Sequence, residues 1–185
     1  MKGIIFQDFV TMMETLFSVE VADEVMSIAT LETAGAYTSV GSYDHIEIVE
    51  LVGHLSAKTG ISKRLLLCAF GKFLFASFMR RNRVNLFDLY STFSFLSFLD
   101  KKMPLEVKEL YLDQLPSFDC LLRKPSELIL IYCSKFPFSD IAEGVIRGAI
   151  SHFNEVISIS RLDLSGEQST HTQFTLKILN ETKLR

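Results

Sequence analysis

The stretch Phe118-Asp-Cys-Leu-Leu-Arg-Lys-Pro-Ser-Glu-Leu-Ile-Leu-Ile-Tyr132 is where the chain changes its period. Phe118, Cys120 and Leu122 alternate with their neighbours. Leu128, Leu130 and Tyr132 do the same, with Lys124-Pro125-Ser126 between the two sets. Apolar residues at period two on either side of a short turn predict a β-hairpin. The apolar residues before this stretch recur at the helical period instead. The boundary at Pro116 therefore separates a helical half from a half that carries strands.

Upstream, Ile4, Ile5, Phe9, Met12, Met13, Leu16 and Phe17 fall at helical spacing and predict a first helix over Gly3–Phe17. Ser18 stands as an N-cap before Val21, Val25, Met26 and Ile28. Gly35 to Gly41 breaks the pattern with an extended loop that contains Tyr37. Asp44 followed by Glu47 resembles a capping box, and its helix runs to Lys58, with Thr59-Gly60 closing it. Ser62 caps a helix from Lys63 to about Met79. Gly71 lies inside it at a cost of about 1 kcal/mol against Ala, which points to another element packing closely there. Asn85 caps a further helix through Leu86, Phe87, Leu89, Tyr90, Phe93, Phe95, Leu96 and Phe98. In Leu99–Tyr111, Pro104 reads either as the first residue of a new helix or as a break, and Leu105–Leu112 resumes the helical pattern.

Downstream of the hairpin, Ile141–Phe153 predicts one more helix. Val156–Leu162 and Phe174–Ile178 alternate again, joined by the polar turn Ser165-Gly166-Glu167-Gln168. Helices first, then hairpin, helix and hairpin, define an α+β domain with a roughly four-stranded antiparallel sheet.

Composition narrows the function classes. The 185 residues suit one domain, and 48% hydrophobic residues supply ample core. The 16 Phe without Trp fit either an ordinary core or a pocket for a flat apolar ligand. A net charge of −3, with Arg80-Arg81-Asn82-Arg83 the one basic block, excludes a concentrated nucleic-acid-binding face. Cys68, Cys120 and Cys133, odd in number and widely spaced, fit neither a disulfide framework nor a zinc site. The opening Met-Lys-Gly-Ile-Ile-Phe is too short for a signal peptide. The apolar stretches over 64–79 and 86–99 are broken by Lys72, Arg80, Asp88 and serines, so neither spans a membrane. The expectation is a soluble, cytoplasmic protein. No nucleophile–base pair and no phosphate loop stand at telling spacing, and the acidic residues fall on expected solvent faces. No enzyme is expected.

The chain also resembles a known family over nearly its whole length. Met1-Lys2-Gly3-Ile4-Ile5-Phe6, Tyr37-Thr38-Ser39-Val40, Lys58-Thr59-Gly60, Ala69-Phe70-Gly71-Lys72-Phe73-Leu74-Phe75, Leu115-Pro116-Ser117-Phe118, Gly148-Ala149 and His152-Phe153 follow one another as in the H-NOX (heme-nitric oxide/oxygen binding) domains. These are relatives of the sensor domain of soluble guanylate cyclase. The resemblance implies a single domain over 1–185, with a helical distal subdomain over about 1–60 and a proximal, sheet-bearing subdomain over about 61–185. It implies heme b between the two, a proximal histidine on the iron and a Tyr-x-Ser-x-Arg clamp on the propionates. It further implies a stand-alone sensor of NO or CO that regulates a histidine kinase or a cyclic-di-GMP enzyme in trans.

Two positions depart from that pattern. The proximal segment reads Met103-Pro104-Leu105-Glu106-Val107, with Pro104 in the histidine's place. The clamp reads Tyr132-Cys133-Ser134-Lys135-Phe136, with Phe136 in the arginine's place. Proline offers iron no donor atom, and loss of arginine removes a bidentate guanidinium–carboxylate contact that Lys135 does not reproduce. Met103 is the best substitute ligand, with Cys68, Cys120 and Cys133 as possible thiolates, while the resemblance places none of His45, His54, His152 and His171 on the proximal face. Ile5, Phe9, Phe78, Pro116, Ile141 and Val145 match pocket positions and keep their apolar character. Tyr132 and Ser134 either hold an anionic group or serve as strand residues. The resemblance therefore leaves two functions open: a sensor whose heme is weakly held, differently ligated or replaced by another apolar ligand, and a heme-free interaction module.

Overall fold

A computed structural model of the protein describes residues 1–82, 89–101 and 116–179. Among these residues the chain forms six α-helices and one four-stranded antiparallel sheet: α1 Gly3–Leu16, α2 Val19–Ile28, α3 Ile46–Thr59, α4 Lys63–Arg81, α5 Thr92–Lys101, β1 Ser117–Lys124, β2 Glu127–Cys133, α6 Ser139–His152, β3 Ile157–Asp163 and β4 His171–Ile178. The expected α+β fold is the one observed. The strand order is β1-β2-β4-β3, every pair antiparallel. Strand alternation puts Leu128, Leu130 and Tyr132 of β2 and Thr172, Phe174 and Leu176 of β4 on the buried face.

The helix caps follow from local chemistry. Ser18 Oγ accepts from Val21 N at 3.2 Å, and Ser62 Oγ accepts from Leu65 N at 3.4 Å, as the sequence predicts. Gly60 ends α3 at φ +72°, the left-handed conformation that favours glycine at this position. The start of α3 differs from its expectation. Asp44 Oδ1 accepts from Ile46 N at 3.0 Å, but Glu47 does not turn back to close a capping box. Its carboxylate is buried and accepts from Thr33 Oγ1 at 2.7 Å, Thr33 N at 3.3 Å and Tyr37 Oη at 2.6 Å. That side chain ties the 33–37 loop to the helix. The next helix also starts later than Asn85 implies. Leu89 and Tyr90 are not helical, and Ser91 is the cap. Ser94 N donates to Ser91 Oγ at 3.1 Å, and Ser91 N donates back to Ser94 Oγ at 3.0 Å. Asn85, Leu86, Phe87 and the resumed pattern over Leu105–Leu112 lie outside the described residues.

Among the described residues, two hydrophobic clusters form the interior. The first gathers Phe6, Phe9, Met12, Met13, Val25, Leu51, Leu55, Leu66 and Phe70 with Phe138 and Ile141. The second gathers Phe75, Phe78, Phe95, Leu96, Leu128, Leu130, Tyr132, Ile146, Phe174 and Leu176. Two helices serve both. α4 gives Leu66 and Phe70 to the first cluster and Phe75 and Phe78 to the second. α6 gives Ile141 to the first and Ile146 to the second. These helices cross with their backbones in contact. A Cβ on Gly71 would lie 2.1 Å from Ile141 O and 2.8 Å from Gly144 Cα. Glycine sits inside α4 because nothing larger fits at the crossing, which is the reason expected for Gly71.

Candidate functional site

A cavity of about 180 Å³ opens where the two clusters meet. Ile5, Leu74, Phe136, Phe138 and Ile141 close it from the side of the first cluster. Phe75, Phe78, Phe95, Leu99, Phe118, Tyr132, Ala142 and Val145 close it from the side of the second. Met1, Lys2, Pro116 and Ser134 complete the lining. Ile5, Phe78, Pro116, Tyr132, Ser134, Ile141 and Val145, singled out from the sequence, thus surround one space. Phe9 does not line it. α1 leaves the cavity after its first turn, and the Phe9 ring stands edge-on to Phe70 with centroids 4.9 Å apart, inside the first cluster. Met103 and Pro104 lie outside the described residues.

Local structure explains how each wall is held. Met1 and Lys2 are bound to the 38–43 loop: Gly3 N donates to Gly41 O at 2.8 Å, Ile4 N to Ser39 O at 3.2 Å and Tyr43 N to Met1 O at 2.8 Å. The Met1 ammonium donates to Tyr43 O. Phe6 stacks on Tyr37 with centroids 4.5 Å apart, and Glu47 anchors the Tyr37 hydroxyl. On the opposite wall, Phe75 meets Phe95 edge-on at 4.9 Å, and Phe118 tilts against Tyr132 at 5.8 Å. Tyr132 is 2% exposed, and burial pushes its phenol up to about 12, partly countered by the Ser134 hydroxyl. It is therefore a neutral hydrogen-bond donor. Ser134 Oγ accepts from Phe136 N at 3.1 Å, which leaves its own proton to give.

Phe136 takes part in the wall directly. Its ring lies 4.1 Å from that of His45, tilted by 33°, and stands between His45 and the cavity. Lys135, two residues beyond Cys133, is exposed and does not line the space. The cavity thus meets a ring at the position where the resemblance expects a guanidinium.

All four histidines and all three cysteines of the chain are among the described residues, and none of them lines the cavity. His45 is behind Phe136. His54 is on α3. His152 packs on Phe75 from outside, with centroids 5.5 Å apart, and His171 opens β4 at the surface. Cys120 Sγ donates to Leu96 O at 3.3 Å, and Cys133 is exposed. Burial pushes the Cys68 thiol up, and Glu143 adds to the shift. No group of three or more His, Cys, Asp or Glu side chains is placed to hold a metal ion among the described residues. Heme iron is ordinarily held by His, Cys, Met or Tyr. Around this cavity the described members of that set are the Met1 thioether and the Tyr132 phenol, which burial keeps protonated. The residues present do not fit a histidine-ligated, arginine-clamped heme.

The acidic residues overturn one sequence expectation. Asp8, Glu47 and Glu143 are buried rather than set on solvent faces. Arg81 holds Asp8 bidentately, Nη1 to Oδ2 at 2.8 Å and Nη2 to Oδ1 at 2.7 Å, and Ser77 Oγ donates to Asp8 Oδ1 at 3.0 Å. At the start of α6, Arg161 from β3 donates to Ser139 Oγ at 2.7 Å, Asp163 Oδ1 at 2.8 Å and Glu143 Oε2 at 3.3 Å, and pairs with Asp140. Burial raises the Glu143 carboxyl, but the guanidinium groups of Arg147, Arg161 and Arg64 outweigh it and hold the group below the ordinary carboxylate range. These contacts fix α6, and with it Ile141, Ala142 and Val145, against the sheet. In the sequence, the signal for Asp8 was its place within the apolar stripe of α1. No local signal marked Arg161.

A layer of helices and an antiparallel sheet enclose an apolar cavity lined from both, which defines an α+β domain with an internal apolar site. The sequence profile of the Haem-NO-binding family matches residues 2–161, and the chain belongs to that family, the H-NOX domains. It is similar to the Fe(II) unliganded H-NOX protein of K. algicida, with a TM-score of 0.89, 26% identity and 100% of each chain covered. It is similar to the S. oneidensis H-NOX protein in the Fe(II)NO state, with a TM-score of 0.86 and 25% identity, covering 97% of this chain and 100% of that one. The IWP-051-bound H-NOX of Shewanella woodyi in the Fe(II)CO state matches with a TM-score of 0.80 and 31% identity, covering 100% of this chain and 99% of that one. No curated protein sequence matches the chain. H-NOX domains are heme-based gas sensors that signal to partners. Among the described residues, no helix is long and apolar enough to cross a membrane.

Proposed function

We propose that this chain is a non-catalytic H-NOX sensor domain whose cavity is filled by a small apolar ligand rather than by a histidine-ligated heme, and that it acts on a separate signalling partner. The observation that carries the proposal is the placement of every histidine and cysteine away from the cavity. Pro104 stands where the family's pattern has its histidine, and proline has no side-chain donor. Phe136 stands where it has its arginine and contributes a ring to the wall. Met103, the Met1 thioether and the Tyr132 phenol are the remaining candidates for iron, and burial holds the phenol in its protonated, poorly ligating form. Heme bound here would be weakly held.

The domain is built to report occupancy all the same. A ligand in this space touches both hydrophobic clusters at once, through Ile5, Phe138 and Ile141 on one side and Phe78, Tyr132 and Val145 on the other. Filling it favours whichever arrangement of the two halves closes best on the ligand, and a partner that reads one arrangement responds. By resemblance that partner is a histidine kinase or a cyclic-di-GMP enzyme. An interaction module with no ligand would close its pocket with its own Phe side chains, whereas a cavity of about 180 Å³ remains.

Titration with hemin tests this. The expected result is a broad, non-saturating absorption like that of free hemin, with and without reduction and NO. Pro104→His combined with Phe136→Arg should gain a sharp Soret band that saturates at one equivalent. A sharp, saturable band in the unaltered protein would overturn the proposal.

A further inference from the structure

The sheet has two edges, β1 and β3, and they are built differently. An edge strand carries a row of backbone N–H and C=O groups that no neighbour takes up. Native proteins ordinarily blunt such an edge with a bulge, a proline, charge or a covering element. β1 is blunted. Its register shifts between Leu122 and Lys124, Pro125 follows, and Asp100 of α5 accepts from Cys120 N at 3.3 Å. β3 carries none of these devices. Val156–Leu164 reads Val-Ile-Ser-Ile-Ser-Arg-Leu-Asp-Leu, without proline, glycine or lysine, and its register with β4 is unbroken from Ile157 to Asp163. Its two charged side chains are paired, Arg161 with Asp163 and, across to α6, with Asp140 and Glu143.

The ladder fixes which groups face outward. Val156 O accepts from Leu179 N, and Leu164 N donates to His171 O, each at 2.8 Å. With the pairing of β3 and β4, these bonds turn the backbone groups of Val156, Ser158, Ser160, Leu162 and Leu164 toward β4. Those of Ile157, Ile159, Arg161 and Asp163 point away from it. Among the described residues, no hydrogen bond reaches the N–H or C=O of these four. The side chains divide by the same alternation. Ile157 and Ile159 pack on the second cluster, whereas Val156, Leu162 and Leu164, 54%, 56% and 47% exposed, share the outer face with Ser160.

We propose that the β3 edge is an interaction surface for a second copy of this chain, the two β3 strands pairing antiparallel about a twofold axis at Ser160 and joining the two sheets into one. The strand itself names that occupant. Its outward groups recur symmetrically about Ser160, so a twofold there pairs Ile157 with Asp163 and Ile159 with Arg161 across the axis. Each such pair exchanges two hydrogen bonds, and the whole strand is used. On the outer face the same register sets exposed Val156 opposite exposed Leu164, and Ser160 opposite its own copy. The adjacent registers meet like charges. A twofold at Arg161 sets that residue opposite itself, and one at Ile159 sets Glu155 opposite Asp163. The pairing does not depend on what fills the cavity.

Analytical ultracentrifugation of the protein over a range of concentrations is the first test. The unaltered protein should pass from monomer to a species of twice the mass. Ser160→Lys, which sets two ammonium groups opposite each other on an exposed face, should stay monomeric with an unchanged circular dichroism spectrum. Cross-linking reads the register, in a Cys133→Ser background because Cys133 is exposed. Pairs of this kind bring Cα atoms to about 4.5 Å, inside the range of about 4.4–6.8 Å that a disulfide spans. Oxidised glutathione should therefore trap Ser160→Cys as a covalent dimer. It should not trap Ser158→Cys, which this register displaces from its own copy by about 13 Å along the strand. The amide hydrogens of Ile159 and Arg161 should exchange about tenfold more slowly in the dimer, while that of Ser160 is protected in both states. A dimer that survives Ser160→Lys, equal trapping of the two cysteine variants, or unchanged exchange at Ile159 and Arg161 would overturn the proposal. A protein that stays monomeric at every concentration would overturn the second copy as occupant and leave the edge to an extended segment of another protein.

Discussion

Replacement of Gly144 by Ala puts the crossing of α4 and α6 to a quantitative test. A Cβ at this position would stand 2.1 Å from Cys68 O, 2.8 Å from Gly71 Cα and 2.9 Å from Cys68 C. These are backbone atoms of an intact helix, so no rotamer change relieves the clash. The two helices must separate by more than an ångström before the contact becomes ordinary. Overpacking a tight interior costs about 1–3 kcal/mol, and an obstacle made of backbone belongs near the top of that range. Alanine returns about 1 kcal/mol through its better helix propensity. The net expectation is a destabilisation of about 2 kcal/mol, from the balance of those two effects. With a urea slope of about 2 kcal/mol per molar, the midpoint should fall by about 1 M. The melting temperature should fall by about 4–8 °C, at about 2–4 °C per kcal/mol for a chain of this size.

Gly148→Ala is the internal comparison. Its Cβ would meet only the Phe75 side chain, at 3.0–3.2 Å. The ring needs to give by a few tenths of an ångström, and the propensity gain of about 1 kcal/mol offsets the strain. Urea denaturation followed by circular dichroism at matched conditions measures both variants. The backbone-contact argument fails if Gly144→Ala unfolds at the midpoint of the parent, or if Gly148→Ala proves the more damaging of the two.

Other perturbations test the remaining parts of the construction. Arg161→Met leaves Asp140, Glu143 and Asp163 facing one another where Arg161 is now 14% exposed, and should cost about 3 kcal/mol near neutral pH, as when a buried pair loses one partner. The Glu143 and Asp163 carboxyls are held below their ordinary values in the parent, so the stability they contribute is present above the ordinary carboxylate range and lost as pH falls. The gap between variant and parent should therefore narrow in acid, and a pH-independent gap in urea midpoints would refute the assignment. Tyr132 carries the opposite sign. Its phenol is raised from 10 to about 12, so its contribution is complete below pH 10 and is lost as pH climbs toward 12, about 3 kcal/mol in all. Tyr132→Phe should flatten that alkaline limb, read as the difference between chemical-denaturation curves at pH 9 and pH 11.5. Phe75→Ala removes the ring that lines both the cavity and the outer groove bordered by Lys72, Met79 and His152, and should cost about 3–5 kcal/mol. It should also speed the exchange of bound toluene, measured by NMR line shape, and unchanged exchange would mean that this ring is no barrier between the two spaces.

The period of the apolar residues made most of the fold legible. The switch at Pro116 located the sheet, Ser18, Ser62 and Gly60 located helix ends, and Gly71 announced a close crossing that the Gly144 contact explains. The errors arose where an apolar run continued through a real boundary. Leu89, Tyr90 and Phe93 keep a helical spacing across the start of α5, and the reciprocal Ser91–Ser94 cap was hidden among other serines. Glu47 satisfied a local motif but serves a tertiary contact with Thr33 and Tyr37. The buried charges were illegible for a stronger reason. Asp8 meets Arg81 across 73 residues, and Arg64 meets Glu143 across 79, separations at which no sequence pattern of fixed spacing operates. For the site, apolar character picked out Ile5, Phe78, Ile141 and Val145 but could not say which face of α1 looks into the cavity, so Phe9 was placed there beside Ile5. The ring of Phe136 was legible as a loss of charge. Its place in the wall, against His45, required the fold.

The two shared helices decide what a ligand in this cavity can transmit. α4 and α6 are locked to each other at Gly71 and Gly144 and cannot slide without a steric penalty. Each continues past that crossing into both hydrophobic clusters, so a change on one side of the cavity must be accommodated on the other or resisted at the crossing. A guest that merely fills the space stabilises the fold by RT ln(1 + [L]/Kd), about 2.7 kcal/mol at a hundredfold excess over Kd, with no preference between arrangements. Signalling needs more. To move a partner-recognised arrangement from about 1% to about 99%, the guest must bind it roughly 10⁴-fold better than the alternative. Apolar contact distributed around the cavity does not discriminate so sharply, because both arrangements bury the same rings. A directional contact does. Ile5 and the Met1–Gly3 segment tied to the 38–43 loop belong to the first-cluster wall, whereas Tyr132 belongs to β2 and Ser134 directly follows it. A guest that hydrogen-bonds to Tyr132 or Ser134 while its apolar body packs on Ile5 is satisfied in only one separation of the two walls. On that argument the polar lining of the cavity, small as it is, sets the difference between a domain that binds and a domain that reports.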